Sequence, residues 1–166
     1  MAAESVYFRK TGSSTVIDSV RDFGMYCKEV PFVMYGEAKE LTSVDYKDED
    51  GEDEYIPLVL PMKSYTMEVT FAFKGDRDTA NKAIKDMVAY LTGRDGAGEG
   101  AEFDMYSTYT EIGRQKCRFV SMSNDAELIR EDGYDILFPR LTFKVNDPVT
   151  DIYLRSPYDN TNVDLR

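Results

Sequence analysis

Residues 65–73 read Tyr65-Thr66-Met67-Glu68-Val69-Thr70-Phe71-Ala72-Phe73, and large apolar side chains occupy every odd position. The even positions are small or polar. This period of two places one row of side chains in a core and the other in solvent, so it predicts an antiparallel strand with one wet face. The following Lys74-Gly75-Asp76 has the composition of a turn.

A helix is predicted directly after that turn, over about 78–91. Its apolar residues recur at helical spacing and form one stripe: Ala80, Ala83, Ile84, Met87, Val88 and Leu91. Asp76 or Asp78 can cap the first turn, and Gly93 stands where a C-terminal glycine belongs. One helix with a single apolar stripe predicts that it lies across a sheet.

The rest of the chain predicts further strands and no second strong helix. They are expected at about Ser14–Val20, Tyr26–Tyr35 (one or two strands, broken by Pro31), Phe103–Thr110, Gln115–Met122 and Tyr134–Val145. Ile56–Leu60 is another apolar run, bounded by Pro57 and Pro61. Glu111–Arg114 is expected to be a hairpin turn, Ser123–Gly133 a polar loop, and Pro139 an edge position or a bulge. The predicted fold is therefore mainly β (α+β), an antiparallel β-sandwich or half-barrel flanked by one helix. Residues 1–150 are expected to form a single domain, and 151–166 a polar arm or tail.

Composition excludes several classes of function. The 166 residues include 20 Lys+Arg, 31 Asp+Glu and no histidine, with a net charge of −11. Catalysis that uses histidine and sites with histidine-bound zinc or haem are therefore impossible. The acidic balance disfavours specific nucleic-acid binding. No apolar run is long enough for a membrane span, and no apolar signal region opens the sequence, which predicts synthesis without a signal peptide.

The acidity is local, because Glu37–Glu54 holds nine acids and two lysines and so carries −7 of the −11. Its densest part contains six acids that we take as a candidate interaction site: Asp48, Glu49, Asp50, Glu52, Asp53 and Glu54. An EF-hand does not fit, because a glycine at position six (Gly51) would put Tyr46 and Pro57 at ligand positions. The alternatives are looser calcium binding and a plain solvated loop.

Other candidates for chemistry are weak. Gly96, Gly98 and Gly100 follow a helix and precede a strand, the reverse of the order in a dinucleotide fingerprint, so a flexible connection is favoured over phosphate binding. Arg114, Lys116 and Arg118 are expected as a small basic stripe on the wet face of a hairpin. Cys117 is expected in the core, and Cys27 has no neighbouring base that would activate it. We therefore expect no enzyme activity, no cofactor and no metal. An acid-based hydrolase is the remaining catalytic alternative.

The order of elements resembles the N-terminal domain of phage distal tail proteins and, more broadly, the phage tail-tube fold. The resemblance covers roughly residues 14–148. It comprises an early Asp22-Phe23-Gly24-Met25, the block of strand, Lys-Gly-Asp, helix, glycine and aromatic strand over Tyr65–Tyr109, and the ending Phe143–Pro148. This chain ends soon after Pro148, whereas distal tail proteins often have a second domain, so the resemblance implies a short single-domain form or another member of the group.

What the resemblance implies is a virion structural protein that assembles as a homo-oligomeric ring, a hexamer, around the channel where the tail tube meets the baseplate. The implied partners are neighbouring tail or baseplate proteins, and the implied location is the virion tail, after synthesis in the bacterial cytoplasm. The acidic run is then expected to face the channel or a ring surface, and unpaired sheet edges to join subunits. The alternative is a small non-catalytic β-sandwich module that binds carbohydrate or protein.

Overall fold

The structure is a computed structural model, and it describes residues 4–123, 127–131 and 134–152. The predicted arm or tail at 151–166 lies outside the described residues from position 153 onward. The strands are β1 (Val6–Lys10), β2 (Val16–Asp18), β3 (Tyr26–Glu29), β4 (Ser43–Val44), β5 (Asp53–Glu54), β6 (Tyr65–Gly75), β7 (Phe103–Ser107), β8 (Gly113–Met122), β9 (Glu127–Glu131), β10 (Tyr134–Phe138) and β11 (Arg140–Asp151), and the helices are α1 (Ser19–Phe23) and α2 (Arg77–Thr92).

Nine of these strands form one curled antiparallel sheet, a half-barrel with α2 packed against it. The sheet runs from β2 through β1, β7, β8 and β11 to β6, which also pairs with β10 and, separately, with β3. The predicted fold class is confirmed in its half-barrel form. Strands β4 and β5 pair only with each other and stand apart from this sheet.

Strand β6 organises the core as its alternation predicts. Met67, Val69, Phe71 and Phe73 are buried, and Tyr65 is partly buried. Helix α2 places its buried stripe in the same cluster, through Ala80, Met87 and Leu91 among others. Burial of both apolar faces against each other is the main driving force for this arrangement.

Aromatic rings fill the centre of the half-barrel. The Phe8, Phe103 and Phe143 side chains are fully buried. The ring of Phe103 meets those of Phe8 and Phe143 edge to face, with centroids 5.6 and 5.9 Å apart. Such contacts contribute beyond the area that they bury.

The C-terminal end of α2 is held by a glycine and by a buried lysine. Gly93 adopts the left-handed conformation, with φ 76°, and its N–H group reaches the last carbonyls of the helix. The Lys10 ammonium donates to the Tyr90 carbonyl and, at 2.6 Å, to the Gly100 carbonyl. Burial lowers the pKa of Lys10, while Asp95 and Glu99 oppose that shift. The glycine-rich segment thus connects α2 to β7, as predicted.

Substituting Gly93 with alanine should lower the free energy of unfolding by about 2–3 kcal/mol, from left-handed strain plus overpacking. A Cβ atom at this position would lie 2.9 Å from the Gly100 carbonyl oxygen. Gly96 is the matched control, because its φ is 80° but a Cβ there meets nothing within 4 Å. Gly96→Ala should therefore cost only about 1 kcal/mol. Urea unfolding of both variants checks this, and equal losses would contradict the close approach of Gly93 to Gly100.

Several expectations from the sequence are wrong in the described residues. Of the strand or strands expected at 26–35, only β3 (Tyr26–Glu29) forms. The strand expected at 14–20 is only Val16–Asp18, because Asp18 accepts hydrogen bonds from the Val20 and Arg21 amides and so starts α1. The polar loop expected at 123–133 contains β9, which pairs with β10. Among the described strands, β9 pairs with β10 and lies at that end of the sheet, and end strands of proteins commonly carry charged residues. In addition, the turn between β7 and β8 spans 108–112 rather than 111–114.

Pro139 was expected at an edge or a bulge, but it lies inside the sheet, and the pairing with β6 has no bulge at this position. Strands β10 and β11 pair with β6 in one continuous register, from Asp135 opposite Gly75 to Val145 opposite Tyr65. The Pro139 carbonyl accepts a hydrogen bond of 2.9 Å from the Phe71 amide. Proline loses only the return bond of this pair, since it has no N–H. The interior strand therefore tolerates it.

Candidate functional site

Residues 37–63 form a two-stranded projection that we call the arm. Backbone pairing joins its two sides from the base upward: the Lys63 amide donates to the Glu37 carbonyl and the Lys39 amide to the Pro61 carbonyl, both at 2.8 Å. Further out, the Tyr55 amide donates to the Thr42 carbonyl, and β4 pairs with β5. A fully extended segment of the length of 37–44 spans about 25 Å, at about 3.4 Å per residue.

The arm contains no buried residue. Positions 37–61 are all exposed except Leu41 and Pro57, which are partly exposed. An isolated two-stranded hairpin is only marginally stable in water, because it has no core of its own. No other described part of the chain therefore packs over the surface of the arm.

The structure places the six predicted interaction residues at the far end of the arm. Asp48, Glu49, Asp50 and Glu52 lie in its turn, and Asp53 and Glu54 form β5. We call residues 48–54 the acidic tip. All of them are exposed. The predicted exposure of this segment to solvent is confirmed. It is not a simple loop, however, because Asp53 and Glu54 pair with β4.

The apolar run at Ile56–Leu60 is a second feature of the arm, and it forms an exposed bulge rather than a strand. Ala38 pairs with Met62, and Thr42 pairs with Tyr55. Between these two pairs lie three residues on the outgoing side (39–41) but six on the return side (56–61). The three surplus residues bend outward, and Leu58 is fully exposed and Val59 82% exposed. The available signal was the apolar run between Pro57 and Pro61, two residues that cannot donate to a ladder.

The root of the arm is fixed to the half-barrel by Arg114 and Tyr65. The Arg114 guanidinium donates to the Met34 carbonyl at 2.9 Å and to the Val33 carbonyl at 3.4 Å. It also pairs with the Asp151 carboxylate. The Tyr65 hydroxyl lies 3.4 Å from the Val33 amide nitrogen, and burial raises the pKa of this tyrosine. These contacts hold the segment that leads into the arm.

The expectation that Arg114 lies on a wet basic stripe is wrong, because this side chain is only 1% exposed. The pairing of β7 with β8 shifts by one residue between Phe103 and Met105, and Lys116 adopts a left-handed φ of 53°. This bulge breaks the alternation, so Arg114 lies opposite Met105 and shares its buried face. Lys116 and Arg118 are exposed, as predicted.

A cavity of about 210 Å³ lies beside this root. Arg114 and Asp151, two charged residues of its lining, neutralise each other. The rest of its wall is formed by Met34, Tyr35, Glu111, Ile112, Gly113, Val149 and Ile152. Its position makes it part of the junction between the arm and the half-barrel.

Neither cysteine has the environment of a reactive thiol. Burial, together with Glu4, raises the pKa of Cys27 to about 11. Burial also raises the pKa of Cys117, which is fully buried in the core as predicted. Because the thiolate is the nucleophilic form, both side chains are interpreted as structural.

Within residues 4–123, 127–131 and 134–152, no group of three or more Cys, Asp or Glu side chains could hold a metal ion. Neither helix in these ranges has the length and apolarity needed to cross a membrane. No protein-family model, curated protein or solved structure matches this chain.

Proposed function

We propose that the protein is a structural component of a phage tail, or of a tail derived from a prophage. It assembles with copies of itself into a ring around the tail channel, at the junction of the tube and the baseplate. Its work is geometric rather than catalytic, and it needs no cofactor. The ring is a hexamer located in the virion, in contact with neighbouring tail or baseplate proteins.

The observation that carries this proposal is the arm. An ordered projection with no buried residue, bearing a fully exposed leucine, is costly for a protein that works alone. A partner that covers the apolar bulge removes this cost. The resemblance in element order, from Asp22-Phe23-Gly24-Met25 to Phe143–Pro148, supports a tail protein as the bearer of such an arm.

The half-barrel supports the proposal in a second way. Among the described strands, β2 and β9 lie at the two ends of the sheet, and closure of a ring is one means by which proteins cover the edges of end strands. A heterologous contact, in which different surfaces of two copies meet, closes into a ring when its rotation permits.

The test is the oligomeric state of the purified protein over a range of concentrations. Mass photometry and negative-stain microscopy should show closed rings of about six times the 19.0 kDa protomer. A protein that stays monomeric at every concentration, and also in the presence of tail partners, would contradict ring formation and favour the small binding module.

A further inference from the structure

The outer face of the sheet, which turns away from α2, carries an unusual set of charges. On β11 the side chains of Arg140, Thr142 and Lys144 alternate with the buried Leu141, Phe143 and Val145. On β8, Lys116, Arg118 and Val120 are exposed. We call Lys116, Arg118, Val120, Arg140 and Lys144 the basic face.

Two cations of the basic face lie directly opposite each other. Arg118 on β8 is the cross-strand partner of Lys144 on β11. Like charges in this position are destabilising. Neither residue forms an ion pair with any residue that the structure describes. Among the described residues, Glu68, opposite Thr142, and Asp147, near Lys116, are two acids beside these four cations.

The basic face is thus an exception on a chain of net charge −11, and the arm has the complementary character. The arm carries seven net negative charges over Glu37–Glu54 and an exposed apolar bulge. The basic face has cations flanking Val120, which is 40% exposed. An interface between them would bury the apolar side chains at its centre and pair opposite charges around them.

The arm cannot be assigned to its own half-barrel, because its residues are exposed there and its root is held by Arg114. We propose that the arm of one copy docks on the basic face of the next copy. Its acidic tip then lies against Arg118 and Lys144, and its bulge lies against Val120. This inference rests on the proposed self-assembly. It places the acidic tip at a contact between copies rather than in the open channel.

Charge reversal on each surface tests the docking. The first variant, Arg118→Glu with Lys144→Glu, removes the net positive charge of the basic face while the arm stays acidic. The second, Asp53→Lys with Glu54→Lys and Glu49→Lys, weakens the acidity of the arm while its face stays basic. Each variant alone should need at least tenfold more protein for half-assembly than the unmodified chain. A mixture of the two should recover assembly, because each arm then meets a face of better complementarity.

The matched control is Lys82→Glu with Lys85→Glu, which reverses two charges on the exposed side of α2. This variant should assemble like the unmodified chain, and thermal unfolding should show that all variants are folded. If the reversed variants assemble normally, the docking is wrong while the ring proposal stands. If each variant fails and the mixture also fails, the arm and the basic face do not contact each other, and each of them meets a different surface of the neighbouring copy. If the unmodified chain itself never assembles, both proposals are wrong.

Discussion

Replacing Leu58 and Val59 together with aspartate should strongly weaken assembly without changing the thermal unfolding midpoint. Both side chains are exposed in the single chain, so the half-barrel loses no packing. In an assembled ring they would be covered, and two buried aspartates would cost far more than the lost apolar contacts. A central contact of this kind contributes at least about 2 kcal/mol, so the concentration for half-assembly should rise at least about thirtyfold.

Sedimentation velocity across a concentration series measures this effect, and a melting curve checks the fold. The matched control is Tyr109→Asp, since Tyr109 is 69% exposed in the turn between β7 and β8 and belongs neither to the arm nor to the basic face. The control should keep its assembly. Normal assembly of the Leu58 and Val59 variant would remove the apolar bulge from the interface.

Phe143→Ala should lower the free energy of unfolding by about 3–5 kcal/mol, the range for a large aromatic removed from a core. The Phe143 ring is fully buried and lies within 6.5 Å, centroid to centroid, of the rings of Phe8, Phe103 and Phe119. Strands from both halves of the sheet fix these rings, so the resulting cavity has little room to collapse.

Urea denaturation of the monomer measures that loss. The control is Phe119→Ala, because Phe119 is only partly buried at the rim of the same cluster. It should cost clearly less than Phe143→Ala. Equal losses for the two variants would mean that the centre of the core lies elsewhere.

The sequence predicted best where a long periodic pattern coincides with a buried face. The alternation over Tyr65–Phe73 correctly predicted β6, and the apolar stripe at 78–91 correctly predicted α2. Gly93 correctly marked the end of that helix. These patterns succeed because burial acts on the whole run of side chains.

Short and irregular features were not predictable in the same way. The burial of Arg114 depends on a bulge of one residue at Lys116, which the alternation of the strand does not announce. Strand β9 is defined by its pairing with β10 rather than by its own hydrophobicity. Backbone pairing with a distant segment is tertiary information, and it overrides local propensity.

The candidate site was predicted in part. The composition located the acidic tip, because charge can be counted without a structure. The arm that carries it could not be foreseen, since it depends on pairs such as Ala38 with Met62 across a long segment. The apolar run 56–60 was visible in the sequence, but only the register of the arm shows that it bends outward and is uncovered.

The position of the apolar bulge and the acidic tip on one arm also has a consequence for solubility before assembly. Two arms that approach each other bring together two Glu37–Glu54 segments, each with a net charge of −7, and this repulsion acts against accidental association of their bulges. Charged residues beside an unavoidable apolar segment play this gatekeeping part in many proteins. The same acids that recognise the correct surface therefore keep the free protein dispersed at the concentrations that assembly requires.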